Sequence, residues 1–344
     1  MNIYEKLPGA LLPWYEANKR DLPWRQDRDP YHIHLSEIML QQTRVEAVKG
    51  YYGRFLQALP TVETLAQADD EQLHKLWEGL GYYNRVRNLK KAAREVVERY
   101  KGIYPQTYEE LLSLPGVGPY TAGAICSIAF DGKTAAVDGN VLRIITRLTE
   151  DHTAIDQPAF QKEIKNRLEE IYPSQAGAFT QALMELGATV CVPNGKPHCE
   201  KCPCKAFCGS FSHATAENFP VKSPKKSRRE ESLTVFILRC EDAYALEKRA
   251  DQGLLAGLWQ FPNVSGTLSP EEGIASVEKL GLQVKGISRM TDKEHIFTHV
   301  HWKMRGLYLD VRELTDRFTW LTEEQIETQT ALPTAFRQFW EDRL

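Results

Sequence analysis

Five of the seven cysteines of this chain fall within eighteen residues, between Cys191 and Cys208. Thiols gathered this closely suit a disulfide knot or a soft metal. A disulfide knot belongs in a small, secreted, cysteine-dense chain, whereas a structural zinc site usually shows paired C-x₂-C knuckles or a matching His pair. The spacing Cys191-x₇-Cys199-x₂-Cys202-x₅-Cys208 fits neither well. Four thiolates at unequal short spacings suit a cubane [4Fe–4S] cluster, whose irons face four directions, and zinc stands as the alternative. Cys204 is an extra thiol inside the quartet.

Two shorter stretches upstream could also do chemistry. Leu114-Pro-Gly-Val-Gly118 lies between the helical stretches Tyr108 to Leu112 and Tyr120 to Ala129. A tight turn with Gly116 and Gly118 leaves backbone N–H groups bare at the start of the next helix, where they can grip a phosphate. An ordinary helix–helix turn would read the same way. Val137-Asp138-Gly139-Asn140 follows, and an Asp before Gly between helices is most often a cap or turn.

These stretches need a scaffold, and 344 residues suffice for two or three domains. Composition is that of a soluble globular protein, with 42% hydrophobic and 26% charged residues. No apolar run has the length of a membrane span, and the N-terminus lacks a signal pattern. Cys126 and Cys240 have no evident sequence partners, which suits a reducing, cytoplasmic compartment. The formal charge of −3 does not announce nucleic acid. It does not exclude it either, because phosphate contacts depend on local cations and backbone amides. Basic residues cluster at Lys196, Lys201 and Lys205, and again at Lys222, Lys225, Lys226, Arg228 and Arg229. That second run reads equally as a solvated linker or a DNA-facing strip.

Residues 5–190 read as a mostly helical array. Ile38, Val45, Val48, Tyr52 and Phe55 recur at near-helical spacing, as do Leu65, Leu73, Leu76 and Leu80. Residues 210–230 have linker composition. Beyond them Leu233–Leu238 and Ala243–Glu247 read as strands, Trp302–Val311 as a half-buried strand, and Glu271–Lys279 as a helix. The expected organisation is a mostly α domain over 1–209, a basic linker over 210–230, and an α+β domain over 231–344.

Hairpin, Asp and cysteine quartet occur in a fixed order, joined by Leu22-Pro-Trp-Arg25, Ser36-Glu-Ile-Met-Leu-Gln-Gln-Thr43 and Gly79-Leu-Gly-Tyr-Tyr83. Together they resemble the helix–hairpin–helix DNA glycosylases with an iron–sulfur loop, and within them the adenine DNA glycosylases of the MutY type. The resemblance covers nearly the whole chain. It implies a monofunctional enzyme that hydrolyses the N-glycosidic bond of adenine mispaired with 8-oxoguanine or guanine in duplex DNA. It implies one [4Fe–4S] cluster on Cys191, Cys199, Cys202 and Cys208; the expected protein is a cytoplasmic monomer, nucleoid-associated if bacterial. The family usually has six residues between its first two cluster cysteines, and this chain has seven, a difference a surface loop absorbs. Spacing leaves open ligation by Cys204 in place of Cys202 or Cys208.

The resemblance also implies roles. Glu37 matches the acid that protonates adenine at N7, although by itself it reads as a solvated first-turn Glu. Asp138 matches the second carboxylate, which supports the sugar cation or bonds to C1′, and Asn140 orients it or the water. Tyr120 stands where the endonuclease III relatives carry a Schiff-base Lys, so a strand-cleaving lyase step is not expected. Gln42 and Tyr82 match residues that enter the duplex. Trp24, Arg25, Leu40 and Gln181 match positions around the base pocket, with Trp24 and Leu40 equally readable as core. Gly116 and Gly118 would hold the DNA backbone.

In the C-terminal domain, Gly253–Pro262 resembles a Nudix-like unit. The helix after Ser269 lacks the acid-rich array that a pyrophosphatase needs for its metal. Phe297-Thr298-His299 matches the loop that inspects 8-oxoguanine, whose N7 proton a hydroxyl can accept. The competing readings are an oxidised-pyrimidine glycosylase/lyase and a non-catalytic cluster protein. Tyr120 weighs against the first, and the pair Glu37 and Asp138 against the second.

Overall fold

The computed structural model describes residues 2–224 and 227–343, so Lys225 and Lys226 of the basic run lie outside the described residues. The chain divides into two compact units. One comprises the chain up to Gln67 together with Arg87–Pro224, and the other joins Ala68–Val86 to the chain from Lys225 onward.

The first unit is helical. Tyr4, Leu7, Leu11 and Tyr15 form one face of the helix Ile3–Asn18 and pack with Phe179, Leu183 and Leu186 of the helix Ala176–Thr189. Ile38 and the Val45–Phe55 set do not share one helix. Pro30–Leu40 and Val45–Ala58 are separate, with Gln42 at φ +60° in the break. The helix Pro30–Leu40 starts with Asp29 capping the Tyr31 amide at 2.8 Å. Every residue from Ile33 to Met39 is buried. Glu37 is therefore a buried residue late in its helix rather than a solvated first-turn Glu.

The expected Leu65–Leu80 periodicity is also divided. Leu65 belongs to the helix Val62–Gln67 of the first unit, while Leu73 and Leu76 belong to Asp70–Leu76 of the second. Two helices, Tyr108–Ser113 and Pro119–Phe130, flank the Leu114–Gly118 hairpin as expected.

The second unit is built on a mixed sheet with seven strands among the described residues: β1 (Arg229–Cys240), β2 (Ala243–Lys248), β3 (Trp259–Gln260), β4 (Asn263–Ser265), β5 (Val284–Ile296), β6 (Val300–Val311) and β7 (Thr319–Thr322). The path runs β3-β2-β1-β6-β5, with β4 on β1 and β7 on β2. Only β1 and β6 pair in parallel, from Arg229 opposite Val300 to Arg239 opposite Asp310. The β1 centre is apolar on both faces because both are covered. Leu233, Val235 and Ile237 meet Phe336, Phe339 and Trp340 on one side, while Phe236 and Leu238 meet Val277 and Leu282 on the other. The expected half-buried strand over Trp302–Val311 is likewise covered on both faces, with Leu307, Tyr308 and Leu309 all buried. The expected helix is present as Pro270–Glu278. Sequence reading missed β5, whose Val-Lys-Gly-Ile-Ser-Arg-Met-Thr-Asp-Lys-Glu-His-Ile run is too polar to announce a strand. It also missed the helices Glu323–Gln329 and Thr334–Glu341.

Candidate active site

A cavity of ≈ 520 Å³ in the first unit gathers residues that lie far apart in sequence. Glu37 enters from the helix Pro30–Leu40, Tyr120 from the hairpin helix, and Asp138 and Asn140 from the start of the helix Gly139–Thr149. Trp24, Arg25, Leu40, Gln42 and Gln181 also line it. The expectation that Trp24 is either core or pocket resolves into both. It is buried, lies edge-on to Tyr52 at 5.6 Å, and still borders the cavity.

Glu37 is only 6% exposed. Burial pushes its carboxyl up to about 7; a Tyr120 hydrogen bond pulls against this, the Asp138 charge adds to it, and the Arg25 charge opposes it. A carboxyl so placed holds a proton near neutral pH and can give it away. Tyr120 is itself held far above its ordinary range by burial and by the Glu37 and Asp138 charges. It is therefore a neutral hydrogen-bonding group there.

Asp138 is both a cap and a cavity carboxylate. Its Oδ1 accepts from the Asn140 and Val141 amides, each at 2.9 Å, and its Oδ2 accepts from Asn140 Nδ2 at 2.6 Å. All three partners are donors, which suits a carboxylate. The Asn140 amide is fixed from the other end too, because its Oδ1 accepts from Arg143 Nη2 at 2.9 Å. Arg143 also donates to the carbonyls of Gly187 and Cys191 at 2.9 Å. Position 187 must be glycine-sized, since a Cβ there would stand 2.9 Å from that of Asn140.

Arg25 does not point a free guanidinium into the cavity. Its Nη2 donates to Glu185 Oε2 at 2.7 Å, and Arg20 Nε donates to Glu185 Oε1 at 2.6 Å. Gln181 Oε1 accepts from the Tyr15 hydroxyl at 3.0 Å. Arg20, Glu185 and Met184 escaped the sequence reading. A lone charge in the apolar run Ala182-Leu-Met-Glu-Leu-Gly187 was the available signal. The same holds for Arg143 and Arg147, both buried and one turn apart in the helix Gly139–Thr149.

The hairpin has the geometry its glycines suggest. Gly116 sits at φ +75°, and a Cβ there would fall 2.5 Å from that of Asn88. Gly118 is the N-cap of the helix Pro119–Phe130 and supplies no capping side chain, so first-turn amides stay available.

All five clustered cysteines border one small cavity of ≈ 30 Å³ with apolar walls. Arg147, itself buried, donates from Nη1 to Cys191 Sγ at 3.3 Å and to the Val192 carbonyl at 2.9 Å. Among the described residues, no group of three or more His, Cys, Asp or Glu converges as a single ion requires. A cubane, whose irons face four ways, takes thiolates spread around it. Cys204 is fully buried and borders the same cavity as the other four. These residues fit a cluster held by thiolates and balanced by buried arginine charge.

Tyr82 and Phe297–His299 are not part of the ≈ 520 Å³ cavity and belong to the second unit. Phe297, Thr298 and His299 form the turn between β5 and β6, closed by Phe297 N–H donating to Val300 O at 2.8 Å. Phe297 packs edge-on against Trp302, while Thr298 and His299 are exposed. Tyr82 sits at φ +49°, and its hydroxyl lies 3.4 Å from Thr298 Oγ1.

Comparison with known proteins agrees with this architecture. Residues 35–173 match the family described as HhH-GPD superfamily base excision DNA repair protein, and residues 234–342 match the NUDIX domain. The adenine DNA glycosylase of Homo sapiens is 35% identical, with 96% of this chain and 73% of that protein aligned. That of Buchnera aphidicola subsp. Acyrthosiphon pisum is 32% identical over 84% of this chain and 82% of its own. A thermostable thymine-DNA glycosylase structure covers 61% of this chain and 97% of its own, with TM-score 0.56 and 31% identity. An endonuclease III–DNA complex, 23% identical with TM-score 0.52, covers 62% of this chain and 99% of its own and shares the fold. Fold and site together define a base-excision DNA N-glycosylase of the helix–hairpin–helix class joined to a Nudix domain. The chain belongs to the adenine DNA glycosylase family.

Proposed function

We propose that this enzyme removes adenine opposite 8-oxoguanine, and opposite guanine more weakly, by hydrolysis without strand cleavage. The observation that carries the reading is the single cavity shared by a buried Glu37, its carboxyl pushed up to about 7, and a donor-surrounded Asp138, with no lysine lining it among the described residues.

The extruded adenine enters this cavity, and Glu37 gives its proton to N7 as the glycosidic electron pair leaves with the base. Asp138 supports the resulting positive charge at C1′, electrostatically or through a bond. Water then adds to C1′, releasing Asp138 where it has bonded, and passes a proton to the Glu37 carboxylate left by the first step. Asn140, anchored by Arg143, holds Asp138 in place. Tyr120 has no amine for a Schiff base and serves instead as the Glu37 hydrogen-bond partner. Arg25, Leu40, Trp24 and Gln181 enclose the base, and Gln42 and Tyr82 enter the duplex. The amides around Gly116 and Gly118 grip a phosphate.

Residues 1–209 carry excision and 231–344 carry recognition of the opposite base, with the Thr298 hydroxyl accepting the 8-oxoguanine N7 proton. Cys191, Cys199, Cys202 and Cys208 hold a [4Fe–4S] cluster, with Cys204 as a buried extra thiol at the same cavity. With a cluster on them, these cysteines would tie four points of the loop into one body, and the exposed Lys196 and Lys201 would be held beside it.

The test is excision from duplexes carrying one adenine:8-oxoguanine, adenine:guanine, thymine:guanine or thymine-glycol pair. Adenine release without strand scission, fastest opposite 8-oxoguanine, is the expected result. Release of thymine or thymine glycol in preference to adenine overturns the reading. Binding of the same duplexes across salt concentration measures the phosphate grip.

A further inference from the structure

Glu185 lies in the middle of the apolar helix Ala176–Thr189 and is wholly buried at 0% exposure. It accepts from Arg20 Nε at 2.6 Å, Arg20 Nη2 at 3.1 Å, the Arg20 amide at 3.3 Å and Arg25 Nη2 at 2.7 Å. Burial alone would raise its carboxyl, but the hydrogen bonds and charges of the two arginines outweigh this and hold it low. The set is two cations on one anion.

Both arginines border the cavity that holds Glu37. A cation facing a carboxyl favours its ionised form, which works against a group that must keep a proton for the leaving base. The groups bearing on Glu37 are Tyr120 from the hairpin helix, Asp138 from the following helix start, and Arg25 from the Pro23–Arg25 turn. On its own helix, His34 is one turn away and buried, its imidazole pushed down to about 4 and so neutral. Behind Arg25 stand Glu185, Arg20 and the Tyr15 ring, the last 5.6 Å from the Arg25 guanidinium. Among the described residues, Glu185 is the one carboxylate ion-paired with Arg25.

We propose that Glu185 is a positioning residue for the acid: its carboxylate neutralises Arg25 and turns the guanidinium aside, so that Glu37 retains its proton. The inference rests on Glu37 being the acid of the proposed reaction. It goes beyond holding the pocket wall in place, because it requires opposite effects from removing the anion and removing its second cation.

The experiment compares the full-length parent with Glu185→Gln, Arg20→Gln and the double variant. Single-turnover adenine excision is followed through the pH range in which Glu37 loses its proton. Glu185→Gln moves the high-pH fall in rate downward by about half a pH unit or more, roughly a threefold loss above the fall and little below it. Arg20→Gln, which leaves Glu185 wholly to Arg25, moves it upward, and the double variant returns towards the parent. A uniform loss at every pH, or a double variant no different from Glu185→Gln, overturns the proposal. If Glu185→Gln does not fold, Arg20→Gln decides, and an unmoved fall is then the negative result.

A readout without substrate separates this from the function itself. The stability difference between each protein and its Glu37→Gln counterpart turns over where Glu37 titrates. If no adenine is released but this turnover shifts as described, the functional reading fails and the counter-charge role stands. If adenine is released and neither measure moves, the counter-charge role fails alone.

Discussion

Glu37 shows how one residue can be set for chemistry at the expense of stability. Its carboxyl is raised from 4.5 to about 7, so the folded protein binds a proton more tightly than the unfolded chain. A raised acid contributes fully below the unfolded value and loses that contribution as pH rises through the folded value. Glu37→Gln removes the titration while keeping the shape. Its stability advantage over the parent is expected to grow between pH 4.5 and 7, reaching on the order of 1–3 kcal/mol above that window. Denaturant unfolding of both proteins across pH measures this, and an offset constant with pH contradicts it. Excision by the variant is expected to be lost with DNA binding kept, because Gln has no acidic proton for the base.

At the scale of elements, the cysteine loop continues from the helix Ala176–Thr189 and is tied back to it. Cys191 N–H donates to Leu186 O at 2.7 Å, and His198 N–H donates to Val190 O at 2.9 Å. The second bond closes the seven-residue stretch from Val192 to His198 back onto the end of that helix. Arg143 joins the start of the helix Gly139–Thr149 to the loop, running from Asn140 to the Cys191 carbonyl. The purified protein is therefore expected to be brown, with about four irons per chain. Cys199→Ser is expected to lower iron content, thermal stability and DNA affinity together, while Glu37 and Asp138 keep their positions. Stoichiometric zinc without iron in metal analysis is the result that removes the cluster.

At the scale of the molecule, the segment Ala68–Val86 is the feature that governs how the division of labour should be tested. It belongs with the C-terminal unit, where Glu71 Oε2 accepts from Trp259 Nε1 at 3.1 Å and Lys75 Nζ donates to Thr330 O at 3.0 Å. Glu78 accepts from the Leu332 amide at 3.1 Å. A fragment ending after the cysteine loop would strip these partners away, so its losses would mix instability with recognition. A point change is cleaner. Thr298→Val deletes one hydroxyl at an exposed turn and keeps the side-chain shape. One hydrogen bond is worth about 1 kcal/mol, so the preference for 8-oxoguanine over guanine opposite adenine is expected to fall on the order of fivefold. The ratio of excision rates on the two duplexes measures this, and an unchanged ratio shows that Thr298 does not read the lesion.

The sequence by itself determined the local devices. Gly116 and Gly118 mark the hairpin because a positive φ and a bare helix start depend on residue type alone. Asp138 before Gly139 marks a cap for the same reason, and the apolar run Leu233–Leu238 marks a covered strand. The quartet spacing is equally a property of the chain. Tertiary structure decided everything that depends on neighbours distant in sequence. Read locally, Glu37 is a surface acid. Only packing of its helix against the hairpin helix buries it beside Tyr120 and Asp138 and moves its proton affinity. Arg25 reads as a pocket residue, and only the fold pairs its guanidinium with Glu185, 160 residues later. The polar strand β5 becomes a strand through its pairing with β6, which no local pattern encodes. The leucines from 65 to 80 share a helical period, yet the chain between them passes from one unit to the other. Periodicity reports which face is apolar, not which core that face will join.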